Sequence, residues 1–246
     1  MSTAVSTVSR RKGPPPIVVP ILVLLGLSAL ALTSDFDRTW AHRCWSAADG
    51  WRLAQAPLVQ FLYRYGNVPA LVVGIGGLLV WPVLLWRKRP RGERALALFL
   101  GFSLILGPGI VVNAVLKAHY GRPRPNQTVE FGGTLPYHPL FKPGVGGVGK
   151  SFPSGHASMG FYWLGLFVFF WGSRRRTAWA FGAVGLVHGG LMGWGRTVQG
   201  GHWASDILWS AGCVYLTAWA LWFVMSRFFL QEPPPRRRAE LHEALT

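Results

Sequence analysis

Three short patterns carry the chemistry of this chain: Lys117-X6-Arg124-Pro125, Pro153-Ser154-Gly155-His156 and Arg196-X5-His202-X3-Asp206. Each sits beside long apolar stretches, where an ionisable group is costly unless it is paired or used. Together they supply three cations, two histidines and one carboxylate. That set suits a phosphoryl group in transfer, which carries negative charge on its equatorial oxygens and needs fixed positive charge and N–H donors around it. Lys117, Arg124 and Arg196 provide the charge, and the arginines add bidentate hydrogen bonds. Ser154 and the Gly155 N–H add donors where the chain enters a helix, whose N-terminus itself favours anions.

His202 and Asp206 are four residues apart, so on a helix they share a face. The carboxylate can accept from one ring nitrogen and leave the other as a nucleophile. His156 is left to protonate the leaving oxygen and then to serve as base for water. A zinc site from His156, His202 and Asp206 has suitable ligand types. Lys117, Arg124 and Arg196 would repel the ion, so no metal and no cofactor is expected.

These residues must be positioned by membrane helices. Half of the 246 residues are hydrophobic, with 13 Trp and 15 Phe. The runs Ile17–Thr33, Val59–Trp86, Ala95–Leu116, His156–Trp171, Ala178–Trp194 and Trp203–Phe229 read as six transmembrane helices of an all-α integral membrane protein. Residues 35–57 mix Trp40, Trp45 and Trp51 with Arg38, Arg43 and Arg52, the pattern of an amphipathic segment lying in the interface between spans one and two. Residues 1–13 and 231–246 read as polar tails flanking one domain, 14–230.

The net charge of +16 does not point to nucleic acid. It is gathered in Arg10–Lys12, Arg87–Arg94, Arg174–Arg176 and Arg236–Arg238, between and beyond the apolar runs, with no stacking or base-reading elements beside it. With six spans all four blocks share one side, which the positive-inside rule makes cytoplasmic, along with both termini. The three motifs then meet on the opposite, extracytoplasmic face. Cys44 and Cys213 have no metal or redox spacing.

With those residues in view, the sequence resembles the type 2 phosphatidic acid phosphatase superfamily, whose three signature motifs look like the three patterns above. The resemblance covers about residues 95–225. It implies a helical membrane core in which His202 becomes a phosphohistidine, Asp206 holds it, and His156 assists the leaving group. It also implies that Lys117, Arg124, Ser154, Gly155 and Arg196 hold the phosphate. The family's third motif usually begins Ser-Arg, whereas here it begins Gly195-Arg196, one hydroxyl donor fewer.

Asn126–Gly133 and Gln199–His202 carry a weaker likeness to bacterial members acting on envelope lipids. The implied substrate is a membrane lipid phosphate, with lipid A 1-phosphate placed first. Phosphatidylglycerophosphate, phosphatidic acid and undecaprenyl pyrophosphate are the alternatives. The implied location is the bacterial inner membrane, with the site periplasmic. A lipid phosphotransferase would use the same residues, and a non-catalytic lipid-binding or transport protein is the rival of another class. Loop 126–150 reads as a lid or a plain connector, with His119, Lys142 and Lys150 as rim residues. Trp163, Trp194 and Trp203 are placed at the membrane boundary, and His188 reads as a packing or interhelical hydrogen-bonding residue. Nothing in the sequence requires a symmetric partner.

Overall fold

A computed structural model describes residues 13–228. The Arg10–Lys12 and Arg236–Arg238 blocks, the expected C-terminal tail, nearly all of the N-terminal one and Phe229 of the sixth run lie outside the described residues. The chain runs α1 (Val18–Thr33), α2 (Phe36–Cys44), a pair of two-residue strands β1 (Trp45–Ser46) and β2 (Gly50–Trp51), α3 (Pro57–Tyr65) and α4 (Val68–Trp86). Helix α5 (Arg91–Leu104) continues as a π-helical stretch, Ile105–Leu116, into a last turn, α6 (Lys117–His119). After a long loop come α7 (Gly155–Phe161), α8 (Leu164–Phe170), α9 (Arg175–Val198) and α10 (Ala204–Phe228).

The expectation of six membrane spans is overturned. Among the described residues three helices are long and apolar enough to cross a membrane: Pro57–Trp86, Arg91–His119 and Ala204–Arg227. A fourth arises only if α1 and α2, bent by 71° at Ser34–Asp35, count as one span. Alone, the 16 residues of α1 reach about 24 Å, short of a hydrocarbon layer of roughly 30 Å. The fourth expected run falls in Gly155–Phe170, a shorter apolar stretch broken between α7 and α8. The fifth falls in α9, which has the length at 24 residues but dilutes its apolar side chains with His188, Arg196 and a series of glycines. The result is a multi-pass membrane protein with an all-α helical core and, among the described residues, three apolar spans, or four with the bent pair.

Two sequence features set the helix geometry near the motifs. Pro108 has no N–H and would clash in a regular α-helix. The π-helical stretch absorbs it, and Asn113 Nδ2 donates to the Pro108 carbonyl at 2.6 Å. On α9, Gly182, Gly185, Gly189 and Gly193 form a small-residue face. A Cβ at Gly160 of α7 would lie 2.7 Å from the Gly189 Cα, so these backbones nearly touch, as small residues allow in membrane bundles. The main core then fills around Phe99, Phe161, Leu164, Phe167, Val168, Val214 and Tyr215. In this way the start of α7, the end of α9 and the start of α10 converge.

Candidate active site

His202 precedes α10 and is 2% exposed. Its Nδ1 lies 2.6 Å from the Ser151 carbonyl oxygen. That acceptor fixes the Nδ1–H tautomer and leaves Nε2 with its lone pair. Asp206 Oδ2 stands 3.7 Å from Nδ1, an electrostatic neighbour rather than the hydrogen-bond acceptor that the i, i+4 spacing suggests. Burial pushes the His202 ring down to about 4, against the pull of Asp206, so at neutral pH it is uncharged.

Asp206 is fully buried and densely held. Oδ1 accepts from Arg122 Nη1 at 2.6 Å. Oδ2 accepts from the Ser151 hydroxyl and from the Trp203 N–H, the latter at 2.9 Å. Arg122 in turn donates Nη2 to Asp37 at 2.8 Å, Nη1 to Ser205 Oγ at 2.9 Å and Nε to the His138 carbonyl at 2.9 Å. Burial works against the Arg122 charge, yet Asp206 and Asp37 outweigh it and hold the guanidinium above its ordinary pKa.

The expected phosphate-holding residues gather around this centre. Lys117 lies within the electrostatic reach of Arg124, Arg196 and Lys150, Arg196 within that of Arg124, and His156 feels Lys117, Arg124 and Arg196. Buried Nε atoms of Arg124 and Arg196 have no hydrogen-bond partner, as donors awaiting an anion would. Ser154 caps α7, accepting from the Ala157 N–H at 3.4 Å. Ser210 of α10 pins the same turn, accepting from the Ser154 N–H at 2.9 Å and sharing its one hydroxyl proton between the Asp206 and Ser154 carbonyls. Gly155 is buried against Asn113, where a Cβ would meet the amide oxygen.

The rim residues divide. Lys150 joins the cationic group. His119 is exposed and its Nδ1 lies 2.7 Å from the Val115 carbonyl, and Lys142 is exposed on the loop. The 126–150 loop is tied down: Arg38 of α2 holds Glu130 at 2.8 Å and keeps its carboxyl below the usual range, while Phe131 packs among Trp45, Trp51 and Trp203. Trp203 packs in the core and is not an exposed anchor. It is 1% exposed and donates Nε1 to the Pro123 carbonyl at 2.8 Å. Trp163 donates to His188 at 2.9 Å, the interhelical bond expected of that histidine.

With this geometry in place, comparison with known proteins is decisive for the family. The model described as PAP2 superfamily matches residues 96–230, more than half of the chain. The chain belongs to the PAP2 superfamily. It is similar to a protein named lipid A 4'-phosphatase from Francisella tularensis subsp. novicida (strain U112), 39% identical over 130 residues. That stretch is 52% of this chain and 58% of the relative, so the match spans little more than half of that protein. Lipid A 4'-phosphatases of Rhizobium etli (54% over 44 residues; 18% of this chain and 17% of that one) and Rhizobium leguminosarum (61% over 33 residues; 13% and 14%) share shorter stretches. No solved structure matches.

Residues outside the PAP2 match also reach the site. Tyr63 of α3 stacks on His156, with ring centroids 4.8 Å apart and planes within 17°, and the Arg196 guanidinium lies over the same ring at 4.8 Å. Asp37 of α2 binds Arg122. Within the match, Arg122 sits two residues before the expected Arg124 in the same Gly-Arg-Pro-Arg-Pro run, where the sequence gives it no separate signal. Two buried arginine-binding carboxylates on separate helices have no spacing signature. The Ser151 carbonyl, a main-chain group, leaves no sequence signal at all.

Proposed function

We propose that this PAP2 protein is a membrane lipid phosphatase that works through a phosphohistidine at His202. The observation that carries the reading is the buried, neutral His202 ring, its Nδ1 engaged by the Ser151 carbonyl and Nε2 left free, within the field of Lys117 and Arg196. Lys117, Arg124, Arg196, Ser154 and the Gly155 N–H hold the phosphate. Nε2 attacks phosphorus as the ester P–O bond breaks; His156, held against Tyr63 and pushed down to about 4 by burial and the nearby Arg196 and Lys117, takes up a proton as the anionic phosphate binds and gives it to the leaving oxygen. A water oxygen then attacks phosphorus while its proton passes to His156. The N–P bond breaks, releasing inorganic phosphate and restoring both histidines.

The substrate is a lipid A phosphate. The relatives' names support lipid A and carry the 4'-position, which moves the preference away from the 1-phosphate that the sequence reading placed first. The site faces the periplasm. In support, the Arg91–His119 and Ala204–Arg227 spans each have a basic residue at one end (Arg91, Arg227) and a site residue at the other (Lys117, Asp206), and α9 likewise has Arg175 at one end and Arg196 near the other. Arg87–Arg89 and Arg174–Arg176 then lie at the cytoplasmic end.

The test is phosphate release by the purified protein from lipid A phosphorylated at both positions, with mass spectrometry to show which is lost. Phosphatidylglycerophosphate, phosphatidic acid and undecaprenyl pyrophosphate complete the panel, and His202→Ala is the control. Loss of the 4'-phosphate, absent in the control, is expected. Turnover undiminished in the control removes His202 as nucleophile, and a clear preference for another lipid removes the substrate assignment.

A further inference from the structure

The PAP2 match begins at residue 96, yet the buried ionic chain behind His202 ends on α2. Asp37 is 2% exposed, Arg122 and Asp206 are fully buried, and Arg122 bridges the two carboxylates. Ser205 reinforces the bridge: its N–H donates to Asp37 Oδ1 at 2.8 Å and its hydroxyl to Asp37 Oδ2, while it accepts from Arg122. A buried arginine paired with Asp206 alone would cancel that carboxylate's charge. Two carboxylates against one guanidinium leave one net negative charge beside His202. That charge matters when the ring becomes cationic, as it does once Nε2 is phosphorylated with Nδ1–H in place. We propose that Asp37 is a positioning residue for phosphoryl transfer, acting through Arg122 and Ser205 to hold Asp206 and keep its charge available to His202. The inference rests on the reading of His202 as nucleophile. It makes the α2 segment, outside the family match, part of the working site.

The experiment compares binding of orthovanadate, which mimics the phosphoryl group in transfer, with binding of inorganic phosphate, which mimics the ground state. Both are read on the full-length protein in detergent. Asp37→Asn is expected to weaken vanadate by about tenfold or more while phosphate changes by less than about threefold, because a transition-state charge interaction is lost. Asp37→Glu recovers part of the loss. Arg38→Gln, which breaks the neighbouring ion pair to Glu130 without touching the buried chain, leaves vanadate binding within about twofold. Where Asp37→Asn does not accumulate folded, Ser205→Ala replaces it, with an expected loss of about threefold or more. The proposal is overturned if the variant binds vanadate like the wild type, if both anions weaken equally, if Arg38→Gln weakens vanadate as much, or if the wild type binds no vanadate. Lipid dephosphorylation is measured separately. Vanadate binding without turnover sinks the phosphatase reading and leaves this test intact.

Discussion

Arg122 and Arg124 are two residues apart in one Gly-Arg-Pro-Arg-Pro run, and the structure gives them opposite consequences when neutralised. Arg122→Gln keeps an amide donor of similar reach but removes the cation between Asp37 and Asp206. Each carboxylate keeps two donors: Ser205 N and Oγ for Asp37, Ser151 Oγ and Trp203 N for Asp206. Neither keeps a counter-charge. Breaking a buried ion pair from one side costs about 3–5 kcal/mol, which for a chain of this size lowers Tm by roughly 10 °C. Arg124→Gln removes a half-buried side chain whose Nε has no partner, so Tm shifts by no more than about 2 °C. Its turnover nonetheless falls about a hundredfold, as when one donor to the developing charge is lost. Thermal unfolding of both variants in one detergent, alongside phosphate release, decides the matter. An Arg122→Gln protein melting with the wild type, or an Arg124→Gln protein melting as low as Arg122→Gln, refutes the division of roles.

Asp206→Asn is expected to lower phosphoenzyme formation by about a hundredfold, less than the roughly 10⁴-fold of a triad aspartate that sets its histidine's tautomer. Here the Ser151 carbonyl keeps that tautomer, and rapid-quench measurement giving either no loss or a 10⁴-fold loss would contradict the geometry. His202 should titrate near 4, well below an ordinary imidazole, because its burial opposes protonation. Nitrogen-15 spectra of histidine-labelled protein showing an ordinary midpoint of about 6.5 would put the ring in water. EDTA should leave turnover unchanged, since cations line the anion site; activity lost and restored only by zinc would overturn the role of those cations.

How much of this was legible in the sequence depends on what gave a residue away. Lys117, Arg124, His156, Arg196, His202 and Asp206 stood out because ionisable groups interrupt apolar runs at fixed spacings, and the structure brings them into one neighbourhood. Asp37 and Tyr63 did not. In a stretch that mixes Trp with Arg, a single Asp looks like one more solvated charge, and its burial comes from the 71° turn between α1 and α2. Arg122 was hidden by its neighbour in a run where one basic residue already had a role. The span count failed for a different reason. Hydropathy marks segments that avoid water, and α7, α8 and α9 do so partly by packing glycine faces and aromatic rings against one another. Trp203 shows the same confusion in miniature, an aromatic beside a motif that proved to be core rather than membrane anchor.

The contact between Gly160 and Gly189 leaves no slack where α7 crosses α9. His156 lies one turn before Gly160, and Arg196 lies two turns after Gly189. A single added methyl at either glycine would lever those side chains apart, and about 1 Å of misalignment in a reacting centre can cost a hundredfold in rate. Positions that carry no functional group at all therefore belong to the catalytic footprint of this chain. A mutational scan of activity should find a band of intolerance along the glycine face of α9, running well away from any residue that could touch a phosphate.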